Sequence, residues 1–360
     1  MQLDHYVTLG RSGLRVSPFA LGAMTFGEDP GGAGTSVEQS GKMLATYLDL
    51  GGNFIDTANF YTNGHSEKIL GDYFAAQPGR REHVVLASKF FGNMFPGDPN
   101  GGGAGRTSIR AQLDQTLRRL QTDYLDLYYL HNWDRHTPIE ETLRTLDDLV
   151  RAGKIRYIGF SNTPGWFTAQ AQTTALLKDW TPLIALQVEY SLLARTVEGE
   201  LAPFALDQGI ALTPYSPLKH GFLSGKYRRG TTVEDSARTA YVGGPTEDEY
   251  VVIDAVAAIA EELGTNSAAV SLAWLRARQG TVVPILGARR VEQLENNIAG
   301  LGVSLTPEHL RVLDEISAPT LDYPAPMDGA PRRMLQFAGA TVDGQPSTVY
   351  PPLLQSDVRY

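Results

Sequence analysis

The chain has 360 residues, 42% hydrophobic and 20% charged, with a net charge of -9; it can bury a sizeable globular core and is a poor match for a polyanion such as nucleic acid. Cysteine is absent, which removes disulfides, thiol nucleophiles and thiolate metal ligands and fits a reducing cytoplasm. No run reaches the roughly 20 apolar residues that span a bilayer, and Met1 to Gly10 holds no apolar signal core.

Tyr6 to Val16 reads as a capping hairpin. Eight apolar runs of strand length then begin near Phe19, Asn53, Val84, Tyr124, Ile155, Leu183, Ile210 and Val282. They alternate with helical patterns, as βα units of a parallel sheet do. Ser108 to Leu120 sets Ile109, Leu113, Leu117 and Leu120 on one face, and Ile139 to Val150 does the same with Leu143, Leu146 and Val150. Two helical patterns, Glu247 to Leu263 and Ser267 to Arg278, fill the interval before the last run, so one helix is extra. The expected architecture is α/β: a single (β/α)8 TIM barrel over residues 1–360, with an N-terminal hairpin cap, long strand-end loops and extra helices. Three segments interrupt the alternation and are candidate lids: Phe91 to Gly105, Leu218 to Pro245, and the Pro-rich tail Thr320 to Tyr360.

Several runs end on side chains able to move protons. Asn53-Phe54-Ile55-Asp56 is followed closely by Tyr61, the third run ends on Lys89, and the fourth ends on His131. In a parallel barrel the carboxyl ends of the strands converge on one face, so these residues can gather there.

The surrounding motifs add a resemblance. Gly52 to Tyr61, then Gly64-His65-Ser66-Glu67 and Leu70-Gly71, resembles the signature of the aldo-keto reductases. Asp123 to Tyr128 running into His131, Gly159-Phe160-Ser161-Asn162, and Tyr215-Ser216-Pro217-Leu218 with Gly221, Leu223, Gly225 and Lys226 are similar to later parts of that family, in order, up to about Leu305. The resemblance implies a (β/α)8 barrel that reduces aldehydes and ketones with a nicotinamide cofactor, with Asp56, Tyr61, Lys89 and His131 as the catalytic tetrad. The chemistry agrees. Hydride delivery to a carbonyl carbon develops charge on its oxygen, which an acid must neutralise. Tyr61 is the expected donor, a buried Lys89 beside it is expected to lower the phenol's pKa, Asp56 to hold that lysine charged, and His131 to orient the carbonyl.

The remaining strand ends are read as the cofactor site. Ser161, Asn162 and Gln187 suit a nicotinamide carboxamide, and Tyr215 suits stacking on its ring. Ser216, Pro217, Leu218, Gly221 and Lys226 form the pyrophosphate loop, and Gly287, Arg289, Gln293 and Asn297 the adenine and 2′-phosphate site. NADPH/NADP+ is therefore favoured over NADH, although many relatives in the family carry Lys-Ser where this chain has Gly287-Ala288. No G-x-G-x-x-G fingerprint marks a Rossmann unit. Phe26, Phe91, Asn132 and Trp133 are the candidate substrate residues, for a small carbonyl compound, alcohol or sugar. The alternative is a cofactor-binding regulatory subunit resembling the potassium-channel β-subunits. A metal-dependent hydrolase is disfavoured, since His65, His131 and His136 are too few and too local for a metal centre, and no metal, nucleic-acid or membrane partner is expected.

Overall fold

The computed structural model describes residues 1–28, 34–230, 243–355 and 357–358. A hairpin of β1 (Val7–Thr8) and β2 (Arg15–Val16) pairs Val7 with Val16. Eight parallel strands follow: β3 (Ala20–Gly22), β4 (Phe54–Asp56), β5 (Val85–Phe90), β6 (Leu125–Leu130), β7 (Ile155–Ser161), β8 (Leu183–Gln187), β9 (Ala211–Leu212) and β10 (Ile285–Leu286). Neighbours pair in chain order, and β10 returns to β3.

The sheet closes between β9 and the run leading into β10. Leu212 N–H donates to Thr281 O at 2.9 Å, Val283 N–H to Leu212 O at 2.9 Å, and Ile285 N–H to Pro214 O at 2.9 Å. β9 and β10 are shorter than the expected runs for a local reason. Pro214 and Pro284 have no N–H, and each interrupts the ladder on one side. Gly22 is required where β3 meets β10, because a Cβ there would stand 2.8 Å from Ile285 Cγ2 and 3.2 Å from Leu286 O.

Alternation along the strands sorts side chains into two cores. Ala20, Phe54, Val85, Ala87, Leu127, Tyr129, Ala185, Ala211, Val283 and Ile285 point into the barrel, where Leu9 and Val16 of the hairpin join them. Arg11 N–H donates to Gly209 O and Ser17 N–H to the Asn53 side chain, so the hairpin seals the amino ends of the strands. The outward residues, among them Leu21, Ile55, Leu86, Leu130 and Phe160, pack beneath the helices.

The helices are α1 (Val37–Asp49), α2 (His65–Ala75), α3 (Arg106–Leu120), α4 (Ile139–Arg151), α5 (Gly165–Leu177), α6 (Leu201–Gln208), α7 (Glu247–Glu262), α8 (Ser267–Arg276), α9 (Val291–Ile298), α10 (Pro307–Ile316) and α11 (Ala330–Phe337). Both helical patterns before the last strand form. α7 starts at a capping box in which Thr246 and Glu249 bond each other's backbone N–H, and Asn266 caps α8. Among the described residues no helix is long and apolar enough to cross a membrane.

The Phe91 to Gly105 segment is anchored at both ends. Gly103 N–H donates to Phe91 O at 2.8 Å, Asn59 Nδ2 to Gly92 O at 2.8 Å, and Ala104 N–H to Asp134 Oδ2 at 2.8 Å. Of the Leu218 to Pro245 excursion, residues 231–242 lie outside the described residues, as does Tyr360 of the tail. The tail contains α11 and leaves Tyr323 and Leu354 exposed.

Candidate active site

The pleat that fills the barrel also builds the site. Phe54 and Asp56 on β4, Val85, Ala87 and Lys89 on β5, Leu127, Tyr129 and then His131 along β6, Gly159 and Ser161 on β7, and Ala185 and Gln187 on β8 alternate inward. Each series ends in a polar side chain at the carboxyl edge. Past β4 the chain keeps pairing with β5, through Thr57 N–H to Ala87 O at 3.0 Å and Asn59 N–H to Lys89 O at 3.2 Å. That carries Tyr61 over the end of Lys89. A tight turn follows, with Thr62 and Asn63 left-handed (φ 45° and 56°) and the Thr62 hydroxyl bonded to Phe26 O at 2.6 Å.

Lys89 is the hub. Its Nζ lies 2.7 Å from Asp56 Oδ2, 2.7 Å from Thr57 O and 3.1 Å from the Tyr61 hydroxyl, and the side chain is fully buried. Burial alone would lower its pKa, but the Asp56 charge and the Tyr61 phenol together raise it, so the ammonium is retained. Asp56 is occupied on its other oxygen by Gln187 Nε2 at 2.8 Å. The Lys89 ammonium lowers the Tyr61 pKa, as expected, but the net shift is upward. Burial raises it by more than the Lys89 ammonium lowers it, with Asp56 adding to the rise, so the phenol is held protonated.

His131 stacks on Phe60 at 5.1 Å and meets Tyr61 edge-on at 5.8 Å. Burial, then the Lys89 ammonium, push its pKa down to about 3, so the imidazole is neutral at physiological pH. Its Nδ1 is buried without a hydrogen-bond partner among the described residues. The ring, rather than this buried nitrogen, is what His131 presents next to the protonated phenol.

The candidate cofactor residues form two groups around this centre. In the first, Asn162, left-handed at φ 53°, donates from Nδ2 to His131 O and Ser161 Oγ, each at 3.1 Å, and accepts the Tyr215 hydroxyl on Oδ1 at 3.0 Å. Ser161 and Gln187 are paired across β7 and β8. Next to them the loop from Ser216 to Lys226 curls through left-handed Ser216, Lys219, His220, Gly221 and Gly225. Pro217 is buried beneath it and Leu218 packs against the core. Lys226 Nζ stands 3.5 Å from where a Cβ of Gly221 would be, so the ammonium lies in van der Waals reach of the left-handed Gly221 backbone. Cationic and open at the backbone, this cradle fits a pyrophosphate.

The second group lies beyond β10. Arg289 N–H donates to Gln293 Oε1 at 2.9 Å, and Asn297 Nδ2 to Gly287 O at 3.3 Å. Gln293 and Asn297, expected to face the ligand, thus spend part of their hydrogen-bonding capacity folding the turn. The half-buried Arg289 guanidinium has no acidic partner among the described residues. A free cation of this kind fits a phosphate.

The expected substrate residues divide. Phe26 is fully buried in the outer core, so its ring cannot line a mouth; its apolar character reported packing instead. Phe91 is half-buried at φ 123°, Asn132 is exposed, and Trp133 is half-buried, edge-on to Trp166 at 5.4 Å. Residues not anticipated stand on the strand-end loops and in the first turn of α5: Met24, Phe60 and Phe95 on the loops are 50%, 42% and 43% exposed, and Trp166 in α5 is 56% exposed. Apolar residues that follow a strand end and fit no helical periodicity are the signal that identifies them.

Comparison with known proteins agrees with this geometry. The family model described as "Aldo/keto reductase family" matches residues 18–318. The oxidoreductase YrpG of Bacillus subtilis is 39% identical over 320 residues, 86% of this chain and 95% of its own. An aryl-alcohol dehydrogenase [NADP(+)] of Phanerodontia chrysosporium is 34% identical, covering 84% and 83% of the two chains. A norsolorinic acid reductase of Aspergillus flavus is 33% identical, covering 89% and 82%.

Proposed function

The chain belongs to the aldo/keto reductase family, and from that premise we propose that it reduces the carbonyl group of aromatic aldehydes or ketones to the alcohol with NADPH, reversibly, with Tyr61 as the acid. The nicotinamide, when bound, supplies a hydride to the carbonyl carbon. The Tyr61 hydroxyl delivers its proton to the carbonyl oxygen, and the phenolate left behind faces the Lys89 ammonium 3.1 Å away before recovering a proton from solvent. Asp56 keeps Lys89 charged, and neutral His131 orients the carbonyl by hydrogen bonding. The single observation carrying this reading is the buried lysine bonded at once to a carboxylate and a phenol that burial keeps protonated.

Ser161, Asn162, Gln187 and Tyr215 would hold the nicotinamide; Ser216 to Lys226 the pyrophosphate; and Gly287, Arg289, Gln293 and Asn297 the adenosine 2′-phosphate. Support for NADPH comes from the Arg289 guanidinium, which has no acidic partner among the described residues, and from the relative named for NADP(+). Support for aromatic substrates comes from the exposed apolar residues on the strand-end loops and from relatives named for aryl alcohols and norsolorinic acid. The cysteine-free composition supports a cytoplasmic setting, and the 360 residues are read as one barrel with an appended tail.

Tyr61→Phe tests the acid. General acid catalysis contributes about 10²–10⁴-fold, so turnover of benzaldehyde should fall by at least about a hundredfold while NADPH still quenches tryptophan emission. Wild-type-like turnover would sink the assignment.

A further inference from the structure

Two residues beyond His131, Trp133 carries the Arg135 guanidinium above its ring, 4.6 Å from the centroid. Trp166, in the first turn of α5, meets Trp133 edge-on at 5.4 Å and is 56% exposed. The loop bearing Trp133 and the loop leading into α5 are joined through Asn162 Nδ2 and His131 O at 3.1 Å. The neighbouring carboxylate, Asp134, is turned toward the backbone: it accepts Ala104 N–H at 2.8 Å, His136 N–H at 2.9 Å and the Thr137 hydroxyl at 2.8 Å. Among the described residues Arg135 therefore has a ring beneath it and no acidic partner within 4 Å, on a chain whose net charge is -9.

We propose that Trp133, Trp166 and Arg135 form a substrate subsite selecting planar aromatic carbonyl compounds that bear an anionic substituent, a carboxylate or phenolate. The indoles offer flat apolar surface to the arene. The guanidinium is pre-oriented by its stack on Trp133 and offers paired N–H donors to the anion. This inference rests on the reductase reading above and names its substrate class.

The test compares 4-carboxybenzaldehyde with its neutral analogue methyl 4-formylbenzoate in wild type, Arg135→Ala and Arg135→Lys, all with NADPH. An exposed charge pair of this kind changes an equilibrium by about fivefold. Wild type should show a KM about fivefold lower for the carboxylate. Arg135→Ala should abolish that preference through KM for the carboxylate, and Arg135→Lys should keep part of it. Terephthalate, which cannot be reduced under these conditions, should quench tryptophan emission in wild type and less in Arg135→Ala. A carboxylate preference that survives in Arg135→Ala, or no preference in wild type, overturns the subsite. If neither aldehyde is turned over while terephthalate still binds through Arg135, the reductase reading fails and the subsite stands; loss of both turnover and binding overturns both.

Discussion

Asp56→Asn removes one charge from a buried pair and leaves the geometry nearly intact. In wild type the Lys89 Nζ and Asp56 Oδ2 atoms are 2.7 Å apart, with the lysine fully buried and the aspartate 3% exposed. At an effective dielectric of about 20 that separation corresponds to an attraction of about 6 kcal/mol, much of it offset by desolvation. After substitution the ammonium keeps only neutral partners, Thr57 O and the Tyr61 hydroxyl. Breaking such a pair from one side costs about 3–5 kcal/mol. Lys89→Met should cost a similar amount, since Asp56 would then keep only the Gln187 amide. In the double variant no uncompensated charge is buried, so its loss should fall well short of the sum of the two singles. Guanidinium unfolding at pH 7, followed by circular dichroism, measures all three, with aldehyde reduction measured in parallel and expected to be lost in each. A loss below about 1 kcal/mol for Asp56→Asn, or strict additivity in the cycle, would refute the coupled buried pair on which the mechanism depends.

Three further outcomes are expected. His131 has a pKa of about 3 when folded against 6.5 when free, so between those values the unfolded chain binds a proton that the folded chain does not; stability should fall as pH drops through that window, by up to about 1.4 kcal/mol per unit, and His131→Leu should flatten the slope of denaturation midpoints between pH 4 and 7, an unchanged slope counting against it. Arg289→Ala should weaken NADPH binding about tenfold, the equivalent of 1.4 kcal/mol, and leave NADH binding nearly unchanged, as read from emission quenching; equal weakening of both would remove the 2′-phosphate role. Gly71 in α2 faces the Arg119 carbonyl so closely that an added methyl forces α2 and α3 apart, so Gly71→Ala should destabilise by about 1–3 kcal/mol, and a wild-type thermal midpoint would show that the helices yield without cost.

The fold was legible in the chain because its signals are local and periodic. Eight apolar runs of strand length, each followed by helical spacing or a loop, are enough to specify a parallel barrel, and the two helical patterns after the seventh run appear as α7 and α8. Asp56, Lys89 and His131 were legible for the same reason: each closes an inward-facing series on its own strand. What the chain concealed depends on partners distant in sequence. Phe26 lies beyond a strand end as a pocket residue would, yet it is drawn into the outer core beside Thr62. Gln187 has the donors and acceptors a carboxamide wants, but nothing local shows that its Nε2 reaches Asp56, 131 residues away. The lowering of the Tyr61 pKa by Lys89 follows from motif order, whereas the burial that outweighs it is a property of the assembled barrel.

The same assembly explains why the site and the core cannot be separated. Beneath the tetrad, Tyr129 bonds Thr213 through its hydroxyl at 3.1 Å, and its ring occupies the space left by Gly159, where a Cβ would stand 2.5 Å from it. Burial drives the Tyr129 phenol far above its usual pKa, so this layer stays neutral and bears the charged pair above it without competing for the proton. A barrel filled only by aliphatic side chains would leave the Lys89 ammonium and the Asp56 carboxylate with fewer polar neighbours, at the penalty expected of poorly solvated charge. Packing at Gly159 thus sets the layer directly beneath Ser161 on the same strand and His131 beyond its neighbour. A side chain at 159 would displace Tyr129 before it touched any ligand, and its effect would be read in turnover as well as in stability.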